Sequence, residues 1–333
     1  MSASPVERLD GEWRFAIANS PDDAVPGFTE PGFNDADWAQ VAVPGLFTMQ
    51  GFASPIYTNI QMPFRPRPPN VPADNPTGLY RRSFSVPSEW NDRRVVLHFG
   101  GAESVLFVWV NGVAIGMSKD SRLAAEFDVS DNVHFGGNNT LAAMVVRWSD
   151  ASYVEDQDQW WHAGLHREVL LYSTAHTYIA DVHLSAAANG RLTGRVEIAW
   201  DMKVKPDDGW TVDMELLSSK RLRVGRKLTK PIPCAPVVNE FEGYVARFEM
   251  QVPKVDRWTH ETPNLYRVAV TLRDPAGSVV EVESCRVGFR DTEVRGQEFL
   301  LNGAPVLIYG VNRHDFDPDT GMPISAAAIC MRR

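Results

Sequence analysis

The densest chemistry in this 333-residue sequence lies between Tyr153 and Trp161, in the run Tyr-Val-Glu-Asp-Gln-Asp-Gln-Trp-Trp. Glu155, Asp156 and Asp158 gather carboxylates just after an apolar segment that ends Arg147-Trp148-Ser149-Asp150. Carboxylate oxygens suit a hard cation, and they suit the hydroxyls of a sugar. The run also reads as a solvated acidic loop, and spacing does not choose between these. His162 and His166 stand four apart, the separation of paired zinc ligands on a helix. Gly164 between them, the flanking strand patterns and the lack of a nearby Cys or third His argue against zinc. Asp315-Phe316-Asp317-Pro318-Asp319-Thr320-Gly321 opens like a calcium loop. Its sixth and twelfth positions hold Thr320 and Ala326 where Gly and Glu are needed, so a turn-rich loop is expected. Asn312-Arg313-His314 closes a nearly continuous apolar run. If that run is the first strand of a parallel barrel, these three stand on its C-terminal face, where such barrels do their chemistry. Otherwise they are a polar strand end.

Composition narrows the classes. Hydrophobic residues make up 44% and charged residues 23%, ordinary for a globular chain. The length predicts two domains or slightly more. The net charge of −9 repels phosphate backbones, and no Lys/Arg stripe offsets it, so nucleic acid is not an expected partner. No stretch is apolar enough for a membrane helix, and Met1–Arg8 lacks the basic and apolar regions of a secretory signal. Cys234, Cys285 and Cys330 are widely spaced and odd in number, which fits a reducing cytoplasm better than a disulfide framework. Ten Trp are many for this length. They fit a large sandwich core, and they fit aromatic faces for sugar rings.

The elements that must position these residues are mostly strands, because the apolar pattern alternates with period two. Arg94–Phe99, Ser104–Val110, Val113–Met117, Thr140–Trp148 and Arg167–Tyr172 read as strands, with a hairpin turn at Asn111-Gly112. A second set, Arg191–Trp200, Trp210–Leu217, Phe241–Val252, Leu265–Leu272 and Val279–Phe289, is separated by the Pro/Lys-rich stretches Lys203–Asp208 and Lys227–Pro236. It fits an immunoglobulin-like sandwich in architecture, without the Cys-Trp-Cys signature. Beyond Asp291, Glu298–Leu301 and Pro305–Val311 flank the turn Asn302-Gly303. Val306–Val311 is apolar enough for a strand buried on both faces, as in a parallel barrel. Ser325 is placed to cap a helix over Ala326–Arg333. Residues 1–75 are less regular, and Phe64–Pro76 reads as a Pro-rich loop.

Taken in order, the motifs resemble the bacterial β-galactosidases of glycoside hydrolase family 2. Leu9-Asp10-Gly11-Glu12-Trp13-Arg14-Phe15 resembles the family's opening strand. Ala53-Ser54-Pro55-Ile56-Tyr57-Thr58-Asn59 and Asp74-Asn75-Pro76-Thr77-Gly78 resemble its next motifs. Phe107–Gly112, Glu126–Ser130 and Arg147–Trp160 follow. Arg286–Arg290 and Asn302–Pro305 then lead to Gly310-Val311-Asn312-Arg313-His314. One departure is local: the family usually reads Ser-x-Trp after Val43-Pro44, where Gly45-Leu46-Phe47 stands here.

The resemblance implies a mainly β fold: a jelly-roll sugar-binding sandwich over 1–177, an immunoglobulin-like β-sandwich over 178–290, and the truncated start of a (β/α)8 barrel over 291–333. It implies hydrolysis of terminal β-galactosides with retention. It places Asn59, Asp158 and His314 against the galactoside and gives Asp158 a sodium ion at a partial site, with magnesium expected in full-length family members only. It suggests homo-oligomers. Retaining glycosidases use two carboxylates ~5–5.5 Å apart, which the family carries on later strands of a barrel of roughly 250 residues. Residues 291–333 are far too few for one. The expectation is an N-terminal fragment without its catalytic glutamates and without turnover of its own. The alternatives are a free-standing carbohydrate-binding module and a structural partner completed by a barrel-bearing C-terminal fragment.

Overall fold

The structure is a computed structural model that describes residues 5–59, 61–201, 207–232 and 243–323. It divides into two compact units. One runs over Val6–Ser173 and takes in 312–323; the other runs over Thr174–Val311. Among the described residues regular structure is almost entirely strand, with four short 3-10 turns. Among the described residues no helix is long and apolar enough to cross a membrane.

The first unit is a sandwich of two antiparallel sheets. The six-stranded sheet runs, in spatial order, Val113–Ser118, Val105–Val110, Asn138–Val146, Thr77–Ser85, Gly11–Ala18, Ala39–Val43. The four-stranded sheet runs Val6–Arg8, Val169–Thr174, Arg94–Phe99, Ala125–Asp128. Alternate side chains of both sheets meet between them, as period two requires. Trp13, Phe15, Tyr80 and Leu141 from the larger sheet face Val95, Leu97, Val169 and Leu171 from the smaller. Phe15 sits edge-on to Tyr80 at 4.9 Å. The larger sheet is covered on its other face too, where Leu79 and Ala142 pack with Phe28 and Trp38.

A buried arginine pins that cover. The Arg81 guanidinium, 3% exposed, donates to Asp35 Oδ2 at 2.8 Å and to the carbonyl oxygens of Phe28 and Glu30. It lies 5.2 Å over the Phe33 ring. The hairpin expected at Asn111-Gly112 forms, with Asn111 at φ 51° and Gly112 at φ 83°. Asn111 Nδ2 donates to Asn139 Oδ1 at 2.8 Å, which ties the turn to the head of the neighbouring strand. At the departure from the family pattern the packing is complete. Phe47 is fully buried, and a Cβ on Gly45 would fall 2.2 Å from the Ala42 carbonyl oxygen, so only glycine fits.

The second unit pairs Thr177–Ala186, Arg191–Trp200 and Tyr244–Gln251 in one sheet. Arg223–Pro231, Thr211–Leu217, Tyr266–Arg273 and Val279–Val287 form another. Val196, Ile198, Met214, Phe248, Val268 and Phe289 fill the space between them. A three-stranded ribbon, Thr292–Arg295, Glu298–Leu301 and Ala304–Pro305, follows.

Three expectations change. Arg223–Pro231 is an edge strand where a Pro/Lys-rich separator was expected over Lys227–Pro236. Its charges face water, which suits an edge. Thr77–Ser85 is a central strand that the period-two reading passes over. The run 306–311 forms no strand, and Leu307, Ile308, Tyr309 and Val311 are 73–90% exposed. A strand buried on both faces needs a sheet neighbour and a covering layer, and among the described residues neither reaches this run. The helix expected over Ala326–Arg333, its cap Ser325, and Cys234 and Cys330 lie outside the described residues.

The Arg81 anchor sets a test of the first unit. Arg81→Ala leaves two carbonyls and Asp35 without their donor and should cost about 2–4 kcal/mol, by the usual penalty for a broken buried charge pair. Urea unfolding followed by tryptophan fluorescence reads it, and a loss under half a kcal/mol would contradict the assignment.

Candidate functional site

The acidic run becomes a short ladder. Gln159–Trp161 pairs antiparallel with Ile56–Thr58, in the register Gln159 to Thr58, Trp160 to Tyr57 and Trp161 to Ile56. Only three residues per strand pair, so the ladder needs outside support. Arg147, at the end of a central strand, provides it. Its Nη2 donates to the carbonyl oxygens of Ser54 at 2.9 Å and Trp161 at 3.2 Å, holding both sides of the ladder. Trp161 Nε1 donates to Thr58 Oγ1 at 2.8 Å.

On this ladder opens a cleft of about 200 Å³, lined in part by Tyr57, Asp158, Trp160, His314 and Phe316. All of its walls belong to the first unit. Trp160 and Phe316 stack at 5.8 Å with 13° between their planes. His162 stacks on Phe316 at 5.6 Å, and Tyr57 packs against Trp160 at 5.6 Å. Trp160 is 40% and Tyr57 51% exposed, so this floor is partly open to solvent. The Tyr57 hydroxyl donates to Asp158 Oδ1 at 2.6 Å. That carboxylate pushes the Tyr57 phenol above its ordinary range, so it stays protonated as the donor.

Two of the three residues singled out by resemblance meet here: Asp158 and His314 line the same cleft. Asn59 does not line it and is exposed. Extending the ladder register by one residue sets Asn59 across from Asp158, so both stand at the same end of the ladder. The Asp315–Gly321 segment is a turn. Asp317 Oδ1 accepts from the backbone N–H groups of Asp319 and Thr320, and Asp317 and Gly321 exchange backbone bonds at 2.8 Å. The pattern reading did not single out Tyr57, Trp160 and Phe316 as cleft residues. Phe316 lies far along the chain from its stacking partners, and only the fold brings it to them.

Asp315, the other carboxylate of the cleft, pairs with Arg313 at 2.7 Å. Among the described residues no group of three His, Cys, Asp or Glu stands close enough to hold a metal. A monovalent hard cation asks for less charge, and the oxygen donor of Asp158 fits it. His162 and His166 are engaged separately. His162 Nδ1 bonds to Thr48 Oγ1 at 3.0 Å, and His166 Nε2 to the Ser121 carbonyl oxygen at 3.1 Å. Burial pulls both imidazoles down, His162 to about 4, with Arg147 and His166 adding to the effect on His162. At neutral pH the ring stacked on Phe316 is therefore uncharged.

Beneath the ladder lies a buried carboxyl. Glu103 is 3% exposed. Burial pushes it up to about 7, against the pull of Arg122 and Arg147 and with a push from Glu155. Its Oε1 stands 3.6 Å from Arg122 Nη2.

Residues 6–175 match the sugar binding domain of glycosyl hydrolases family 2, and 177–290 match a second domain of glycosyl hydrolases family 2. The chain belongs to that family. A β-galactosidase of Psychromonas ingrahamii is 38% identical over 320 residues, covering 95% of this chain and 31% of the relative. A β-galactosidase of Priestia megaterium is 36% identical over 324 residues, covering 95% and 31%. The chain thus spans about 30% of the length of the curated relatives it matches. The fold is similar to that of Bacteroides uniformis β-glucuronidase, with a TM-score of 0.77, 20% identity and coverage of 97% of this chain and 37% of that one. It is also similar to Bifidobacterium dentium β-glucuronidase complexed with coumarin-3-O-glucuronide, at 0.74 and 21%, covering 100% and 56%.

The two buried titrations oppose each other. Glu103, raised in the fold, stabilises it at low pH and loses that contribution as pH climbs through about 7. His162, depressed in the fold, stabilises it above the ordinary histidine range and loses that contribution as pH drops through about 4. Glu103→Gln removes only the first. Its stability relative to the parent chain should therefore improve from pH 5 to about pH 7 and level off above that in urea titrations. A flat or falling difference would show that Glu103 is ionised throughout.

Proposed function

We propose that this chain is the sugar-holding portion of a retaining β-galactosidase, and that its cleft receives the terminal galactosyl unit. The observation that carries the reading is the meeting of Asp158 and His314 over the Trp160–Phe316 floor, with the Asp158 carboxylate fixed by Tyr57. The apolar face of a pyranose packs on an aromatic ring. Its hydroxyls take a carboxylate as acceptor and an imidazole as donor or acceptor. A carboxylate already aimed by a phenol loses less freedom when the sugar arrives. Asn59, at the same end of the ladder, adds an amide. A sodium ion held by Asp158 supplies a positive point to which a sugar hydroxyl can bind.

The chain's own residues hold and orient the sugar; they do not cleave the bond. Retaining hydrolysis needs an acid/base and a nucleophile ~5–5.5 Å apart. The two carboxylates of this cleft are otherwise engaged, Asp158 with Tyr57 and Asp315 with Arg313. The similarity to β-galactosidases over 95% of the chain supports the galactoside as substrate, and the match over only 31% of the relative supports a division of labour with residues elsewhere.

Calorimetry with a non-hydrolysed β-galactoside in sodium buffer tests the reading. Binding should occur, weaken when potassium replaces sodium, and weaken about tenfold or more in Asp158→Asn, the usual loss for a charge-assisted hydrogen bond. Binding unchanged in Asp158→Asn would sink the assignment. Nitrophenyl galactoside should not be hydrolysed by the chain alone, and release blocked by a galactose-mimicking inhibitor would overturn the division of labour.

A further inference from the structure

A second cavity, of about 410 Å³, lies wholly within the unit Thr174–Val311. Ser185, Trp258, Arg286, Gly288, Arg290 and Thr292 contribute to its lining. The guanidinium of Arg290 lies 4.6 Å over the Trp258 ring, which fixes its plane. Trp258 is held in turn. Its backbone N–H donates to the Phe289 carbonyl oxygen at 2.9 Å, and its backbone carbonyl accepts from Asn302 Nδ2 at 3.0 Å. A Cβ on Gly288 would stand 2.8 Å from the Trp258 Cβ, so the indole seats where only glycine leaves room. The Arg290 N–H donates to the Ala186 carbonyl oxygen at 3.0 Å, which fixes the backbone of the same residue.

A second observation concerns charge. Arg286 stands directly opposite Arg267 in the antiparallel register of Tyr266–Arg273 and Val279–Val287. Like charges in that arrangement repel. Arg267 Nη1 donates to Ser284 Oγ at 2.8 Å, a neutral partner. Among the described residues none of Arg267, Arg286 and Arg290 has a carboxylate within ion-pair distance, in a chain whose net charge is −9. Arg286 and Arg290 thus line one cavity with no carboxylate in ion-pair range among the described residues.

We propose that this cavity is a binding site for a small oxyanion-bearing ligand, a carboxylate or a phosphate, gripped between Arg286 and Arg290, with the hydroxyls of Ser185 and Thr292 as further partners. Guanidinium forks match the geometry of both anions and bind them in pairs of parallel hydrogen bonds. The volume admits a molecule larger than the bare ion.

Calorimetry on the full chain at low ionic strength tests it, with inorganic phosphate and malonate as probes and uncharged malonamide as control. Either anion or both should bind, malonamide should not, and the stronger of the two identifies the tetrahedral or the planar group. Arg286→Gln and Arg290→Gln should each weaken binding about tenfold. Arg191→Gln, which removes a cation paired with Glu249 elsewhere in the unit, should leave binding unchanged. Should a Gln variant fail to fold, Arg286→Lys and Arg290→Lys keep the charge, lose the fork and should still weaken binding measurably. Absence of anion binding to the folded parent chain, equal binding of malonamide, or indifference to the pocket substitutions would overturn the proposal.

Discussion

The cleft hangs on one buried cation. Arg147 is 4% exposed, and burial pulls it down to about 10, with Glu103 holding it up. From the end of the central strand Asn138–Val146 it reaches the carbonyls on either side of the short ladder, and its guanidinium lies 4.7 Å over the Trp148 ring. Two three-residue strands have little cohesion of their own. Their position is set from below, by a charge rooted in the sandwich. The indole floor, the Tyr57–Asp158 bond and the neighbouring Asn59 all ride on that ladder. At about 10, Arg147 stays charged at neutral pH, and Glu103 offsets part of the cost of its burial.

The tryptophans of the first unit differ in burial. Trp13, Trp90, Trp148 and Trp161 are buried and serve packing. Trp160, next to Trp161, is turned outward by strand alternation and forms the floor of the cleft. Adjacent residues of one type thus do different work because a strand sends successive side chains to opposite faces.

Much of the fold was legible because alternation is a local signal. Arg94–Phe99, Arg191–Trp200 and Glu298–Leu301 fall where the pattern puts them, and Asn-Gly marks two turns, with Asn111 and Asn302 both at positive φ. Thr77–Ser85 was hidden because Arg81 and Arg82 interrupt its apolar pattern, and the partners that let Arg81 be buried, Asp35 and the Phe28 and Glu30 carbonyls, lie far away in sequence. The run 306–311 misled in the opposite sense: apolar side chains say that burial is wanted, not that it is provided. Near the cleft, the motif order pointed to Asn59, Asp158 and His314; the last two line it and Asn59 does not. The stacking of Phe316 on Trp160 and the seat of Trp258 against Gly288 are long-range contacts, and no spacing rule encodes them.

The cover over the outer face of the six-stranded sheet has a consequence for how such a chain can change over generations. With Phe28 and Trp38 packed on Leu79 and Ala142, both faces of the two central strands are covered around those residues. An ordinary half-wet sheet can drift freely at every second residue. Here that freedom is absent, and variation should collect at the rim strands Ala39–Val43 and Val113–Ser118 while the centre stays frozen.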